Sequence, residues 1–197
     1  MIIGNNKPIR IIGYAQSSMT QEFVNEIIKT HAVDVIEPPD FVADADYQYI
    51  VAVTLDLAER RRMIDLIDQN NLDLVTVIHD TSLVGTNPPA DIGAGAFVFP
   101  FTIVALGSKI GPHSVIGPYN LIGHYSRVGR NCITRPGVTI SDKSIVGDHC
   151  VFNIKATVTN KVTIADHVEI MGLSNVVKDI DQAGRYAGST ARRISDV

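Results

Sequence analysis

The residue best suited to chemistry is His124, in the stretch Ile122-Gly123-His124-Tyr125-Ser126. A neutral imidazole takes up and returns protons near pH 7, which suits general-base work. On its own, a histidine in such a setting is more often an ordinary surface residue. Other reactive groups recur at one spacing. Asp142 lies eighteen residues after His124, His167 eighteen after His149, and Cys150 eighteen after Cys132, while His113 lies two such steps before His149 with Asn131 midway. Stacked imidazoles could ligate a metal, and the two thiols could meet. Near the N-terminus, the loop Gly13-Tyr14-Ala15-Gln16-Ser17-Ser18 follows a short apolar run, Ile9-Arg10-Ile11-Ile12. A strand, a Gly turn and a helix can hold a phosphate on helix N–H groups. This loop lacks the three-glycine pattern, and a plain structural α/β cap remains an open reading.

The spacing of eighteen has a source in the stretch Ile92 to Ile180. Every sixth residue from Ile92 to Val176 is Ile or Val, except Thr134 and Phe152, and the period never slips. Four places after each of these stands a mostly small residue, among them Ala96, Thr102, Ser108, Ser114, Ser126, Cys132, Ser144 and Cys150. Gly follows the Ile or Val directly at 93, 111, 117, 123, 129 and 147. A period of six fits neither a helix nor an alternating strand, so the pattern is read as the hexapeptide repeat of a parallel β-helix. Each six supplies a short strand and a turn, three sixes close a triangular coil, and the branched aliphatics stack inward on their equivalents one coil away. The small residues leave room for tight corners, and Gly is expected to accept the backbone angles of the turn. The fifteen sixes predict about five coils, each rising roughly 4.8 Å by strand spacing. His124 then sits at a corner and faces outward. Cys132 and Cys150 fall in the small interior column and read as reduced packing. The His113, His149, His167 column reads as solvated.

The chain of 197 residues is 45% hydrophobic, with a formal charge of −4. That mild acidity gives no electrostatic reason to expect nucleic acid or an anionic membrane as a partner. No apolar run reaches about 18 residues, so no membrane span is expected. Met1 to Pro8 is polar, without the apolar core of a signal peptide, and the expected compartment is the cytoplasm. Before the repeat, strands are expected at Ile9–Gly13, Val33–Ile36, Tyr49–Val53 and Leu74–Ile78. A helix is read after Thr20, with Glu22 and Glu26 in its early turns and Phe23, Ile27 and Ile28 on its apolar face. A second is read over about Asp56–Gln69, whose Arg60-Arg61-Arg62 run looks like a solvated charged face. Such alternation argues for a small parallel α/β domain. The expected organisation is an α/β (Rossmann-like) domain over 1–80, a left-handed parallel β-helix over 81–180, and a short irregular tail over 181–197.

Several segments carry a likeness to a known family. Tyr49-Ile50-Val51-Ala52-Val53-Thr54 with Glu59-Arg60-Arg61-Arg62, Val75-Thr76-Val77-Ile78-His79, Ile122-Gly123-His124-Tyr125-Ser126-Arg127-Val128-Gly129, and Tyr186-Ala187-Gly188-Ser189-Thr190-Ala191-Arg192-Arg193-Ile194 together resemble the nucleotide-sugar acyltransferases of the sialic-acid O-acetyltransferase type. Within that family the likeness is to N-acetyltransferases that act on a UDP-linked 4-amino sugar. It implies a homotrimer, acetyl-CoA as co-substrate in the groove between neighbouring coils, and His124 as general base. It further implies Asn160, Gly172, Lys178, Ala187, Gly188 and Arg192 near the coenzyme. Gly13, Tyr14, Ala15, Ser17, Glu37, Thr54 and Leu55 would lie near the nucleotide sugar. Relatives often place an acid directly after the histidine, where this chain has Tyr125. Asp142 stands where relatives commonly have Gly, and could supply the missing carboxylate by fixing the His124 tautomer and raising its basicity.

The expected function is acetyl-CoA-dependent N-acetylation of a nucleotide-linked amino sugar in surface-glycan biosynthesis, by direct transfer. The alternatives are a sugar O-acetyltransferase, transfer of another acyl group, or a trimeric scaffold that has lost catalysis. No metal site is expected: hexapeptide coils that bind zinc use a ligand spacing that the His113, His149, His167 column does not reproduce.

Overall fold

The computed structural model describes residues 1–13, 21, 24, 25, 27, 31–52 and 57–197. They fall into two compact units, Met1–Val77 and Ile78–Val197.

The first unit contains strands β1 (Ile2–Ile3), β2 (Ile9–Ile12), β3 (Val33–Ile36) and β4 (Gln48–Val51), helix α1 (Leu57–Gln69) and strand β5 (Asp73–Leu74). β2 pairs in parallel with both β3 and β4, and β5 joins β4, so the sheet order is β3-β2-β4-β5. Ile9, Ile11, Ile12, Tyr49, Ile50 and Val51 are all buried. Buried apolar residues at successive positions, as in Ile11-Ile12 and Tyr49-Ile50-Val51, are what parallel strands covered on both faces require. One cover is α1, whose Met63, Ile64 and Ile67 cluster with Ile12, Tyr49 and Val51. Residues 21, 24, 25 and 27 are helical and Ile27 is buried, while Thr20, Glu22, Phe23, Glu26 and Ile28 lie outside the described residues. The expected strand Leu74–Ile78 is two strands. β5 is parallel to β4, whereas β6 (Thr76–Ile78) pairs antiparallel with β1, Ile2 opposite Val77.

One expectation about this unit is overturned. Arg60 is not solvated but fully buried, and its Nη1 donates to the carbonyls of Val51 and Ala52, at 2.7 Å each. Burial pushes the guanidinium pKa down to about 9, which leaves it charged near neutrality. Arg60 thus ties α1 to the carboxyl end of β4, while Arg62, two residues on, is the exposed one.

The second unit is the coil, a parallel β-solenoid with three faces. The first face carries Phe97–Val98, Val115–Ile116, Ile133–Thr134, Val151–Phe152, Val168–Ile170 and Gly184–Ala187. The second stacks Leu83–Val84, Ile103–Val104, Leu121–Ile122, Thr139–Ile140, Thr157–Val158 and Asn175–Val176. The third stacks Asp91–Ile92, Lys109–Ile110, Arg127–Val128, Ile145–Val146 and Thr163–Ile164. From Asp91 to Val176 strand partners are eighteen residues apart, as in Ile122 beside Ile140 and Val128 beside Val146; the spacing is twenty at Leu83–Ile103 and sixteen at Val168–Gly184, the two ends of the coil. The inward residues form one continuous core from Ile78 to Tyr186.

The solenoid is about six turns long rather than five, because it begins before Ile92. Leu83–Val84 already pairs with Ile103–Val104, and Ile78 belongs to the core. Between Val84 and Ile92 the step is eight residues instead of six. The Gly85–Ala90 turn, with Thr86 bridged to Pro89, takes up the excess. The C-terminal segment, read as irregular, instead forms a hairpin of Gly184–Ala187 and Arg192–Ser195 that extends the first face.

The glycines act differently from the sequence expectation. The left-handed residue of each corner is the third after the inward aliphatic, at Phe101, His113, Tyr119, Tyr125, Asn131, Lys143, His149, Lys155, Lys161, His167 and Leu173, with φ between 49° and 64°. Only Gly95, Gly107 and Gly137 fill that place with glycine. The glycine directly after the aliphatic is required by close approach instead. A Cβ on Gly123 would lie 2.5 Å from Asp142 Oδ1 and 2.6 Å from the Asp142 nitrogen.

The small residues do more than leave room. Thr102, Ser114, Ser126 and Ser144 donate their hydroxyls to carbonyls fifteen residues on, at Gly117, Gly129, Ser141 and Thr159, over 2.7–2.9 Å. Cys132 and Cys150 are free thiols that do the same toward Gly147 and Ala165, and burial holds the Cys132 thiol protonated. Ser114 Oγ also accepts the Cys132 N–H at 3.0 Å. Ser114→Ala strands a buried donor and a buried acceptor and is expected to lower unfolding free energy by about 1–3 kcal/mol. Equilibrium denaturation of the two proteins checks this; equal midpoints would show that the hydroxyl rungs add nothing.

Candidate active site

The corner between the second and third faces carries His124. Gly123 N–H donates to Ile140 O at 2.7 Å and Lys143 N–H to His124 O at 2.8 Å, so the next coil lies directly on this one. At the place above His124 stands Asp142. Its Oδ1 accepts the His124 backbone N–H at 2.8 Å and faces His124 Nδ1 at 3.2 Å. The imidazole is half exposed, as is the carboxylate. A carboxylate only accepts, so in the neutral form of the ring this contact selects the tautomer with the proton on Nδ1 and the lone pair on Nε2. This is the tautomer a general base needs if it works through Nε2.

The Asp142 cap is a device that the coil repeats. Asp148 Oδ1 accepts the Arg130 N–H and Asp166 Oδ1 accepts the Asp148 N–H, both at 2.7 Å. In each case a glycine lies beneath the aspartate, Gly129 under Asp148 and Gly147 under Asp166. The position of the Asp142 carboxylate is therefore set by coil stacking, and the imidazole takes advantage of it. Tyr125, the next residue, is turned to the preceding coil. It is left-handed at φ 58°, donates its N–H to Leu106 O, and lays its ring over Gly107.

The sequence candidates gather on two edges of the second face. Asn160 and Lys178 continue the His124–Asp142 column: Lys161 N–H bonds Asp142 O, and Lys178 follows Val176 by two as Asn160 follows Val158, its strand partner. Gly172 lies on the other edge, beside Ile154 O. Ala187 and Gly188 run over the same edge, Gly188 N–H on Ser174 Oγ and Asn175 N–H on Gly188 O. Arg192 is exposed just beyond, in the hairpin. Between the edges the upper second face presents Thr139, Thr157 and Asn175, the last two bonded at 2.9 Å. Sequence reading missed Lys143 and Lys161, both exposed and stacked above Tyr125; the same spacing of eighteen marks them.

In the first unit, Gly13 follows β2 with its N–H on Ile36 O, and Glu37 follows β3 in extended conformation. Tyr14, Ala15, Ser17, Thr54 and Leu55 lie outside the described residues. The histidine column is not solvated throughout. His113 and Asn131 are buried, Asn131 Nδ2 meets His149 Nδ1 at 3.1 Å, and the His149 and His167 rings stack at 4.9 Å. Among the described residues no group of three or more His, Cys, Asp or Glu is arranged to hold a metal, and no helix is long and apolar enough to cross a membrane.

The Asp142 carboxyl is held below the usual aspartate range, first by the His124 backbone N–H and then by the ring. A lowered pKa favours the carboxylate, so its contact is present above that value and is lost as pH falls through it. His124→Ala keeps the N–H and is expected to leave most of the lowering in place, read by NMR titration of the Asp142 carboxyl carbon. A full return to the ordinary aspartate value would mean that the ring, not the backbone, dominates.

The family described as bacterial transferase hexapeptide (six repeats) matches residues 107–142. A comparison with curated protein sequences finds no match. Among solved structures, a His-to-Asn variant of perosamine N-acetyltransferase from Caulobacter crescentus, in complex with CoA and GDP-perosamine, is similar with a TM-score of 0.84 and 18% identity, covering 98% of this chain and 100% of that one. The acetyltransferase domain of PglB from Neisseria gonorrhoeae gives 0.84 and 18%, covering 96% and 100%. WeeI from Acinetobacter baumannii gives 0.81 and 16%, covering 95% and 100%. The chain carries the bacterial transferase hexapeptide repeat over residues 107–142, and along nearly its whole length it shares the fold of these proteins.

Proposed function

We propose that this chain is an acetyl-CoA-dependent N-acetyltransferase acting on a nucleotide-linked amino sugar, with His124 as general base. The observation that carries the reading is the His124 Nδ1–Asp142 Oδ1 contact of 3.2 Å, on the corner column that continues to Asn160 and Lys178. The similar structure holding CoA and GDP-perosamine supports the substrate class.

In this mechanism the neutral amine attacks the thioester carbonyl while Nε2 of His124 takes its proton. The C–N bond forms, the C–S bond breaks, and the departing thiolate recovers the proton from the imidazolium. No covalent enzyme intermediate is needed. Asp142 acts as a positioning residue that holds the tautomer and offsets the imidazolium charge. Asn160, Gly172, Lys178, Ala187, Gly188 and Arg192 serve the coenzyme, and Lys143 and Lys161 add positive charge on the same edge for its phosphates. In the α/β unit, Gly13, Tyr14, Ala15, Ser17, Glu37, Thr54 and Leu55 serve the nucleotide sugar. Gly13 and Glu37 stand at the carboxyl ends of β2 and β3, where open parallel sheets bind ligands. Cytoplasmic residence, left-handed winding and a role in surface-glycan biosynthesis belong to the same reading.

A homotrimer is also part of it. The lower second face exposes Leu83, Ile103 and Leu121, with Phe101 and Tyr119 stacked along one edge. Apolar area of this kind marks an association surface. Leu121→Asp is expected to convert a trimer to monomers in light scattering. A wild-type monomer would end the trimer proposal.

The deciding assay is CoA release from acetyl-CoA with a panel of nucleotide-linked 4-amino sugars, for wild type and His124→Ala. Turnover with one amine that falls about 100-fold or more in the variant is expected. No release with any amine removes the N-acetyltransferase reading, and turnover with hydroxy sugars alone replaces it with O-acetylation.

A further inference from the structure

We infer that Asp142 contacts the acceptor through its second carboxylate oxygen and makes the His124 corner selective for an amine over a hydroxyl. The inference rests on the acetyl-transfer reading and adds to it the residue that chooses the acceptor. The two oxygens of Asp142 are used unequally. Oδ1 accepts the His124 backbone N–H at 2.8 Å and faces His124 Nδ1 at 3.2 Å. Oδ2 meets no donor among the described residues, and His124 Nε2 meets no partner among them either. The side chains are 48% and 52% exposed, so both unused atoms are open to a ligand.

Covalent geometry keeps that unused pair together. Oδ2 shares its carbon with Oδ1, and Nε2 shares a ring carbon with Nδ1. The two free acceptors are therefore the next polar atoms on either side of the 3.2 Å contact. The carboxyl is held below the usual aspartate range by the His124 N–H and ring, so it is charged near neutrality. Lys143, the exposed residue that follows, makes no ion pair with it. The coil makes the same backbone cap at Asp148 over Arg130 and at Asp166 over Asp148, but of these three caps only Asp142 stands over an imidazole.

What such a pair selects follows from counting protons. A neutral primary amine has two N–H bonds and one lone pair. One N–H points at Nε2, which takes that proton as the C–N bond forms. The other donates to Oδ2, and the lone pair is left for the thioester carbonyl. A hydroxyl has a single O–H. Once that is given to Nε2, Oδ2 faces only oxygen lone pairs, and a carboxylate stripped of water without a donor is penalised. The negative charge also draws an amine that arrives protonated. That ammonium releases one proton to solvent, which the half-exposed corner admits, and the amine that remains is the nucleophile.

The test is calorimetric titration of the full chain, with CoA bound so that no acetyl group moves, against matched pairs of nucleotide sugars. The pairs are GDP-perosamine with GDP-D-rhamnose, and UDP- and dTDP-linked 4-amino sugars with their 4-hydroxy counterparts. In a pair that the protein binds, the amine is expected to bind at least about 5-fold more tightly, as one charge-assisted hydrogen bond at a half-exposed position gives. Asp142→Asn keeps an oxygen over the His124 N–H and Nδ1 but sets an amide N–H₂ in the place of Oδ2. That group donates to a hydroxyl oxygen and opposes an amine N–H, so the preference is expected to fall below about 2-fold or to invert. CoA binding by the variant shows that it is folded. An amine preference absent in wild type, or unchanged in Asp142→Asn, overturns the inference and leaves the acetyl-transfer reading standing. Binding of none of the sugars removes the nucleotide-sugar reading, and this inference with it.

Discussion

The return of the chain over itself every eighteen residues is the constraint on which the coil depends. Each level hands its backbone N–H groups to carbonyls of the next, as Gly123 does to Ile140 and Gly129 to Val146. Neither strand of two residues would persist alone; the ladder and the stacked aliphatics hold them together. The small interior residues then fasten the corners, hydroxyl or thiol to the carbonyl fifteen residues on. Because this geometry repeats, any side chain finds its neighbours one coil above and below, whatever its type. A column is therefore a place where chemistry can be assembled by single substitutions.

The His124–Asp142 pair shows how such an assembly arises. The carboxylate above a backbone N–H is a stitch that the coil also makes at Asp148 over Arg130 and at Asp166 over Asp148. A glycine beneath gives the aspartate room, and a Cβ there would strike its Oδ1. What separates the corner at 124 is only the side chain on the lower residue. With Arg130 or Asp148 in that place the stitch is structural. With an imidazole, the same oxygen reaches Nδ1 and selects the tautomer. On the proposed mechanism, structural and chemical roles would share one carboxylate, and Asp142→Asn would separate them, since an amide oxygen can still cap the N–H without carrying charge.

Most of the coil was legible because a period of six has few physical explanations. What was not legible had local causes. The two extra residues at Gly85–Ala90 shift the register, so Ile78 and Val84 do not line up with Ile92 although they carry the same repeat. The glycines were visible, but their reason was not: inter-coil approach leaves no trace in single positions, only in the pairing of Gly123, Gly129 and Gly147 with aspartates nineteen residues on. The left-handed corners hide for the opposite reason, since Phe, Tyr, His, Lys, Asn and Leu all occupy them. Arg60 reads as one charge among three, and only packing shows that it faces the Val51 and Ala52 carbonyls while Arg62 faces solvent. At the candidate site, His124 and Asp142 follow from the repeat. Lys143 and Lys161 follow from it equally, once the corner is treated as a column rather than a set of motifs.

The outward residues of the second face are free of the core, so their types record what each level must meet. Leu83, Ile103 and Leu121 are 66%, 42% and 39% exposed, an arrangement unfavourable in water at roughly 25 cal/mol per Å² unless something covers it. One coil higher the column turns to Thr139, Thr157 and Asn175, which water or a polar ligand satisfies equally well. The change falls between Leu121 and Thr139, the level of His124 and Asp142. Covering the lower levels would remove water from one side of the imidazole while the upper levels stay open to a polar co-substrate. Under the proposed acetyl transfer, a base that takes a proton from an amine and releases it to a thiolate before bulk water intervenes would gain from both conditions at once.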